Sequence, residues 1–576
     1  MRKAFSRKFV EMVQGSLVSR VLGFVREAVV ASYFGASRAT DIFAIAFTIP
    51  TLFRRILGED MVEKAFLPSF RQLIASGDYR RAWVLASRIL TFMTLLLLLL
   101  MGLCYLLTPG IVSLIKITAD QQQFSLEDLR RAEIMTYYVL PFMVAIGLAS
   151  FVGGLLLFLD ATVSYSLAPM FLSIGAVGGI VIFKPYVGIY SMAVAFVLGG
   201  VLQFLVQIPP LIRASRRSGL ELRFSMRDAG EGVPEMMQVG RQSRWIFLQS
   251  LANKSVEVVE RLLAAALVPG SVAALYFARR LVELPNAIVG LSVGRAGVTD
   301  LNDEAQRRDW SAFRDTVIRG IRYNIASMVP ITVFVIVLSI PITAVAYRRG
   351  AFGTSSVAMT SLAFSFYTVG LLGTGFWGLY TRIYPALAKN QVPLYTSLVC
   401  AVANVILDIF LVKTPLMNGG IALGSSVAIS LNAAMLFVAF NGELRRLGQR
   451  GIGWRDLKST TISTTLASGV GGFIAWALFP WFRALPLVSA LPQFVFSLPD
   501  VAALGLAGSV GVFTFLLALG YWSRFRGEKR GATDRLILTG GGTGGHVNPA
   551  LAIAEVIEES WTISVIRGAT ITRELI

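Results

Sequence analysis

Long apolar runs separated by short polar stretches dominate the chain. A helix needs about 20 mostly apolar residues to cross a bilayer. On that length scale the pattern predicts fourteen membrane helices. They centre near Arg20, Ala46, Leu96, Ala145, Ile174, Leu198, Leu251, Ala287, Val335, Val369, Val402, Leu431, Val470 and Gly511. The first, second, seventh and eighth are interrupted by Gly, Pro or charge, so a hydropathy window alone could miss them. The opening MRKAFSRKFV is basic. It does not read as a cleavable signal, because the apolar stretch after it carries Arg20 and Arg26 and has no clean short core before a cleavage site.

Composition strengthens this reading. Of 576 residues, 55% are hydrophobic and only 15% charged, whereas a soluble domain is nearer one quarter charged. A soluble enzyme is thereby disfavoured. Lys and Arg number 53 against 34 acids, for a net charge of +19. In a soluble protein that excess would point to nucleic acid. Fourteen spans place both termini on one side, and loops on that side hold about 33 Lys and Arg against about 9 on the other. The bias predicts cytoplasmic N- and C-termini and explains most of the charge with no nucleic-acid partner. The most basic loops are Arg213–Arg244, Arg295–Arg322 and Arg445–Lys458. One His and two Cys, Cys104 and Cys400 inside apolar runs, exclude a His/Cys metal site and a disulfide framework.

A weak internal repeat aligns Arg26 with Arg261, Gly35 with Gly270 and Pro50 with Pro285 at an offset of 235. Two similar halves around a central site is a common transporter plan. The expected organisation is a first six-helix lobe over 1–235, a second over 236–445, two further helices over 446–525, and a cytoplasmic linker with a short tail over 526–576.

Charges inside the membrane carry the chemistry. A charge at the bilayer centre costs roughly 2.5–3.5 kcal/mol on insertion scales, so such residues usually face a partner or a hydrated cavity. Arg20 lies about 16 Å into the first span at 1.5 Å per residue, with Arg26 one and a half turns further. Asp41 opens the second span, and Arg54, Arg55 and Glu59 close it. Lys254, Glu257 and Arg261 share one helical face in the seventh, beside Glu260. Arg279 and Arg280 precede Glu283 in the eighth. Plainer readings stand beside these. Arg54, Arg55 and Glu59 could form an interfacial anchor with an i,i+4 pair, Lys254–Glu257–Arg261 a self-neutralising ladder, and Asp41 a helix cap. The summed charge is positive, which suits an anionic substrate, and Arg suits phosphate in particular because its planar fork pairs bidentately.

The stretch SRVLGFVREAVVASYFGASRATDIFAIAFTIPTLFRRILGED, Ser19 to Asp60, resembles the opening of the MurJ/MviN family. ALYFARRLVELPNAIVGLSVG and the RIYPALAKNQVPLYTSLV run are also similar to that family, and the resemblance covers about residues 5–525. It implies an all-α polytopic fold with fourteen transmembrane helices. Two six-helix lobes surround a cationic cavity, and two extra helices form a lipid-tail groove, as in the multidrug/oligosaccharidyl-lipid/polysaccharide exporter (MOP) fold. It implies a non-enzymatic flippase of the bacterial cytoplasmic membrane. The substrate would be lipid II, the undecaprenyl-pyrophosphate-linked peptidoglycan precursor, moved outward by alternating access. Membrane lipids and cell-wall synthesis proteins are the other implied partners. Arg20, Arg26, Asp41, Arg54, Arg55, Glu59, Arg280 and Glu283 fall on family positions. Arg261 joins them as a substrate-binding candidate, while Arg279 departs from an Asp found in some members. No cofactor is implied, and coupling to membrane potential, protons or cations is left open. Lys254, Glu257 and Glu260 are candidates for a proton or cation site.

The last residues read differently. RLILTGGGTGGHVNPALAIAEVIEE forms a strand, a Gly-rich loop and a helix start, a unit whose backbone amides can approach a phosphate. GGGTGGHVNPALA resembles the opening of the MurG glycosyltransferases, with Gly541, Gly542, Thr543, Gly544, Gly545 and His546 in the phosphate loop and WTISVI as the next strand. About 42 residues bury too little surface to fold alone. The tail is therefore expected to be a truncated, inactive fusion or gene-boundary fragment. Three alternatives remain open: a MOP-fold exporter of another lipid-linked oligosaccharide or a drug, a membrane-anchored glycosyltransferase fusion, and a non-transporting scaffold.

Overall fold

The computed structural model describes residues 2–118, 125–159, 161–217, 233–295, 298–387, 389, 391–489, 498–525, 535–539 and 562–566. In chain order the helices are α1 (Arg2–Phe34), α2 (Arg38–Ala46) and α3 (Thr48–Phe53), followed by π-helical turns at Arg54–Asp60 and Val62–Phe66. There follow α4 (Leu67–Ala75), α5 (Tyr79–Thr118), α6 (Leu126–Val139), α7 (Pro141–Phe158), α8 (Thr162–Val187), α9 (Ser191–Arg217), α10 (Val233–Ala265) and α11 (Ser271–Arg295). Next come α12 (Val298–Gln306), α13 (Trp310–Val337), α14 (Ser339–Tyr347), α15 (Thr354–Val369), α16 (Leu371–Ala386), α17 (Gln391–Leu411) and α18 (Asn418–Arg446). The last helices are α19 (Trp454–Ala484), α20 (Pro486–Ser489) and α21 (Leu498–Phe525), before β1 (Arg535–Thr539) and β2 (Thr562–Ile566).

Each of the fourteen expected centres falls within a helix. Among the described residues, eight helical stretches are long and apolar enough to cross a membrane, or nine if the bent pair α15–α16 is one span. One of the eight, Thr162–Arg216, contains both α8 and α9 and a reversal at Gly188, φ 56°. Helices α1, α10 and α11 fall outside the eight because their charges interrupt the apolar run, and α2 and α3 because each is too short.

The chain divides into two compact units. The first holds Lys3–Ile288 and Ala346–Phe440. Its α5 exposes Leu95, Leu99, Leu103 and Leu106 as a stripe, and α17 exposes Val399, Val402, Ile406 and Phe410. Apolar stripes of that kind suit lipid rather than water. Helices α8 and α9 approach through small residues. A Cβ on Gly175 would lie 2.6 Å from the Gly199 Cα, and one on Gly179 would lie 2.7 Å from the Ala195 Cα. Without such small residues the two helices could not approach so closely. Deep aromatic packing, Phe66 against Phe151 at 5.0 Å and Phe70 against Phe158 at 4.9 Å, anchors the second π-helical turn and α4 on α7.

The second unit holds Val289–Val345 and Asn441–Ile576. Helices α19 and α21 also meet through small residues, since a Cβ on Gly511 would lie 2.7 Å from the Ala475 Cβ. Arg314 links Asp456 (3.2 Å) to the Arg450 carbonyl (2.8 Å). In the tail, β1 and β2 pair in parallel with Arg535 opposite Thr562. The glycine loop Gly541, Gly542, Thr543, Gly544, Gly545 and His546 lies outside the described residues.

Candidate functional site

Two adjoining spaces lie within the first unit among its described cavities, one of about 660 Å³ and one of about 130 Å³. They share Phe47, Thr51, Arg54 and Arg280 as wall. Together they are lined by seven arginines (Arg20, Arg26, Arg54, Arg55, Arg261, Arg279 and Arg280) and five glutamates (Glu59, Glu63, Glu257, Glu260 and Glu283). Arginines outnumber glutamates by two, so the wall is formally cationic.

The backbone explains how Arg54 reaches this wall. In an α-helix Arg55 and Glu59, four apart, would share a face. Here the ion pair is Arg54 with Glu59, five apart, because π winding places more residues in each turn. Arg55 lines the smaller space and makes no ion pair among the described residues. The i,i+4 pair of the plainer anchor reading is therefore replaced by an i,i+5 pair.

Arg26 extends from α1 with Nη2 2.7 Å from the Glu27 carboxylate, and its guanidinium lies 5.1 Å from the Phe196 ring centre. The same carboxylate accepts the Tyr276 hydroxyl at 2.8 Å and lies 3.8 Å from Arg280 Nε. Arg280 also pairs with Glu283 at 3.0 Å. Arg20 lines the larger space and is exposed. Arg261 donates to the Ala44 carbonyl and the Thr48 hydroxyl, each at 2.5 Å, and pairs with Glu257 at 2.8 Å. The Glu257–Arg261 half of the expected ladder therefore forms, while the Lys254 side chain lies outside the described residues.

Asp41 does not line either space. It is buried, and it accepts hydrogen bonds from the Gly270 and Ala273 amides at 2.7 and 2.8 Å. These amides open α11, so Asp41 caps a helix other than its own and favours the positive end of its dipole. Nearby, the Ala351 amide donates to the Ser32 carbonyl at 2.8 Å, and Lys184 Nζ donates to the Tyr33 carbonyl at 3.1 Å. Gly35 and Gly270 occupy positive-φ conformations there, 65° and 92°, and a side chain on either would strike the facing backbone. The unit is thus knit shut at the end where α1 terminates. Asp41→Ala is expected to lower unfolding stability by about 1–2 kcal/mol, and Asp41→Asn by less, since its single amide oxygen can keep one of the two bonds. Thermal unfolding of the purified variants checks this, and equal melting of Asp41→Ala and parent would refute it.

Several residues in and around this wall escape a search for charge. Gln203 and Gln207 are neutral amides on α9, and Tyr276 and Tyr367 supply hydroxyls. Glu260, beyond its pair with Arg279 at 2.5 Å, accepts the Ser425 hydroxyl at 2.6 Å and the Asn404 amide at 3.4 Å. Asp408 is fully buried, and both carboxylate oxygens are without a hydrogen-bond partner among the described residues. A single acid inside the apolar α17 was the signal that could have found it.

A family model described as "Lipid II flippase MurJ" matches residues 30–488. A probable lipid II flippase MurJ of Buchnera aphidicola is 27% identical over 424 residues, 73% of this chain and 81% of that relative. The lipid II flippase MurJ of Burkholderia cenocepacia is 27% identical over 489 residues, 82% of this chain and 90% of that relative. Among solved structures, a lipid II flippase MurJ in an inward closed conformation matches with a TM-score of 0.67 at 21% identity, over 90% of this chain and 99% of that one. An inward-facing multidrug resistance MATE family transporter of the MOP superfamily matches with a TM-score of 0.61 at 14% identity, over 76% of this chain and 98% of that one. The fold is accordingly that of the MOP transporters. With the family model spanning most of the sequence, the chain belongs to the MurJ family of lipid II flippases.

Proposed function

We infer that this protein is a flippase, not an enzyme, and moves lipid II from the inner to the outer leaflet of the bacterial cytoplasmic membrane. The observation that carries the reading is the arginine-rich, net-positive wall inside a helical body of this family. A wall for cationic drugs would need the opposite sign. Arg20, Arg26, Arg54 and Arg280 all line the larger space, so a pyrophosphate there meets several guanidinium forks at once. With the basic loops in the cytoplasm, the closed end of the first unit faces outward and substrate enters from the inner leaflet. Alternating access then requires the Asp41 cap and the Glu27 contacts to break.

A membrane potential negative inside favours outward movement of an anion by about 2.3 kcal/mol per charge per 100 mV. Proton or cation coupling would act at two buried carboxylates, Glu260, which pairs with Arg279, and Asp408.

Arg54→Lys keeps the charge and loses the fork. It is expected to lower lipid II affinity roughly tenfold, the worth of one charge-assisted hydrogen bond, measured with purified protein. Unchanged affinity would remove Arg54 from the site. The function itself is tested by expressing this protein in a host depleted of its resident flippase and scoring lipid II on the outer leaflet. Rescue is expected. Correct insertion without rescue would overturn the assignment.

A further inference from the structure

Two side chains in the larger space are not explained by anion binding. Gln203 and Gln207 lie four residues apart on α9, on one face of the helix, and both line the wall that carries Arg20, Arg26 and Arg54. Their side chains are 8% and 2% exposed. The Oε1 atom of each is buried with no hydrogen-bond partner among the described residues. Buried polar atoms are nearly always paired, more strictly so inside a membrane where water does not substitute. Two orphans on one helical face, on residues that line one cavity, mark a place where a turn of each amide lets a ligand complete the bonding.

The neighbouring hydroxyls do not take that role. Ser150 and Ser166 donate to the carbonyls of Ile146 and Val163 at 2.9 and 3.0 Å, so their protons are already committed. Gly153 faces Gln207. A Cβ there would stand 3.3 Å from the Tyr165 ring and 3.8 Å from Gln207 Nε2, so glycine keeps the approach to the amide clear.

We propose that Gln203 and Gln207 form a subsite for the sugar attached directly to the pyrophosphate of the transported lipid. The assignment rests on the flippase reading above. An unpaired amide oxygen takes an O–H or N–H donor and has no preference for an anion. The arginines of the same cavity hold the pyrophosphate, and the group covalently next to it is the sugar, which offers hydroxyl and acetamido N–H donors. The subsite therefore separates a saccharide-bearing lipid from a bare polyprenyl pyrophosphate, because a site built to bond a donor rejects the analogue that lacks it.

The test uses full-length protein and the Gln203→Met/Gln207→Met double variant, since Met keeps chain length and removes the amide. Binding of lipid II and of undecaprenyl pyrophosphate is measured for each, together with thermal unfolding. The double variant is expected to lose tenfold or more in lipid II affinity and less than twofold for undecaprenyl pyrophosphate, with Tm unchanged or raised. Equal losses for both lipids, or none, would overturn the proposal. So would a lowered Tm, which would show that the amides hold helices together rather than ligand. Wild-type protein that binds undecaprenyl pyrophosphate but not lipid II would remove the substrate assignment, and the subsite with it.

Discussion

Changing Arg26 to alanine is expected to end transport while leaving the protein inserted. The Arg26 side chain is 12% exposed and shares the larger space with Arg20, Arg54 and Arg280. Charge-assisted hydrogen bonds are worth about 1.5–3 kcal/mol each, or roughly ten- to hundredfold in affinity. Loss of Arg26 also leaves the Glu27 carboxylate less neutralised beside the cavity, and that negative charge opposes the substrate directly. The two effects act in the same direction, so a loss beyond about a hundredfold is expected. Insertion should survive, because α1 becomes more apolar. In a flippase-depleted host, the wild type should restore outer-leaflet lipid II and Arg26→Ala should not, at equal membrane levels. Normal growth on Arg26→Ala would end the cavity model.

Much of this was legible from residue type and spacing. Three helices too charged to read as apolar spans, α1, α10 and α11, carry most of the charges lining the cavity. The same residues therefore hide the spans from hydropathy and announce the site. What the sequence does not show is set by packing. The segment Arg54–Asp60 winds as a π-helix, and α-helical spacing selects Arg55 where the structure pairs Arg54 with Glu59. From the sequence, Asp41 reads as a substrate residue, with a helix cap as its plainer alternative. Its target amides at Gly270 and Ala273 lie more than two hundred residues away, beyond any local reading. Gln203 and Gln207 carry no charge and so escape a search built on charge, although amides one turn apart in an apolar helix are themselves unusual.

The second large effect concerns Glu27, which ties α1 to α11. Its side chain is 3% exposed and gathers Arg26 at 2.7 Å, the Tyr276 hydroxyl at 2.8 Å and Arg280 at 3.8 Å. Removing one partner of a buried ion pair costs about 3–5 kcal/mol, because the remaining charge stays desolvated. Arg26 and Arg280 border a cavity that can admit water, which favours the lower end, about 3 kcal/mol for Glu27→Ala. Glu27→Gln keeps an acceptor for Tyr276 and should lose less. Tyr276→Phe removes a single hydrogen bond and should cost about 1 kcal/mol. The double variant Glu27→Ala/Tyr276→Phe should then be little less stable than Glu27→Ala alone, since the hydroxyl has no acceptor left to lose. Thermal unfolding of the four proteins measures the coupling. Strict additivity would mean that the carboxylate and the hydroxyl act independently, and Glu27 could not then be the tie that must break for the outer end to open.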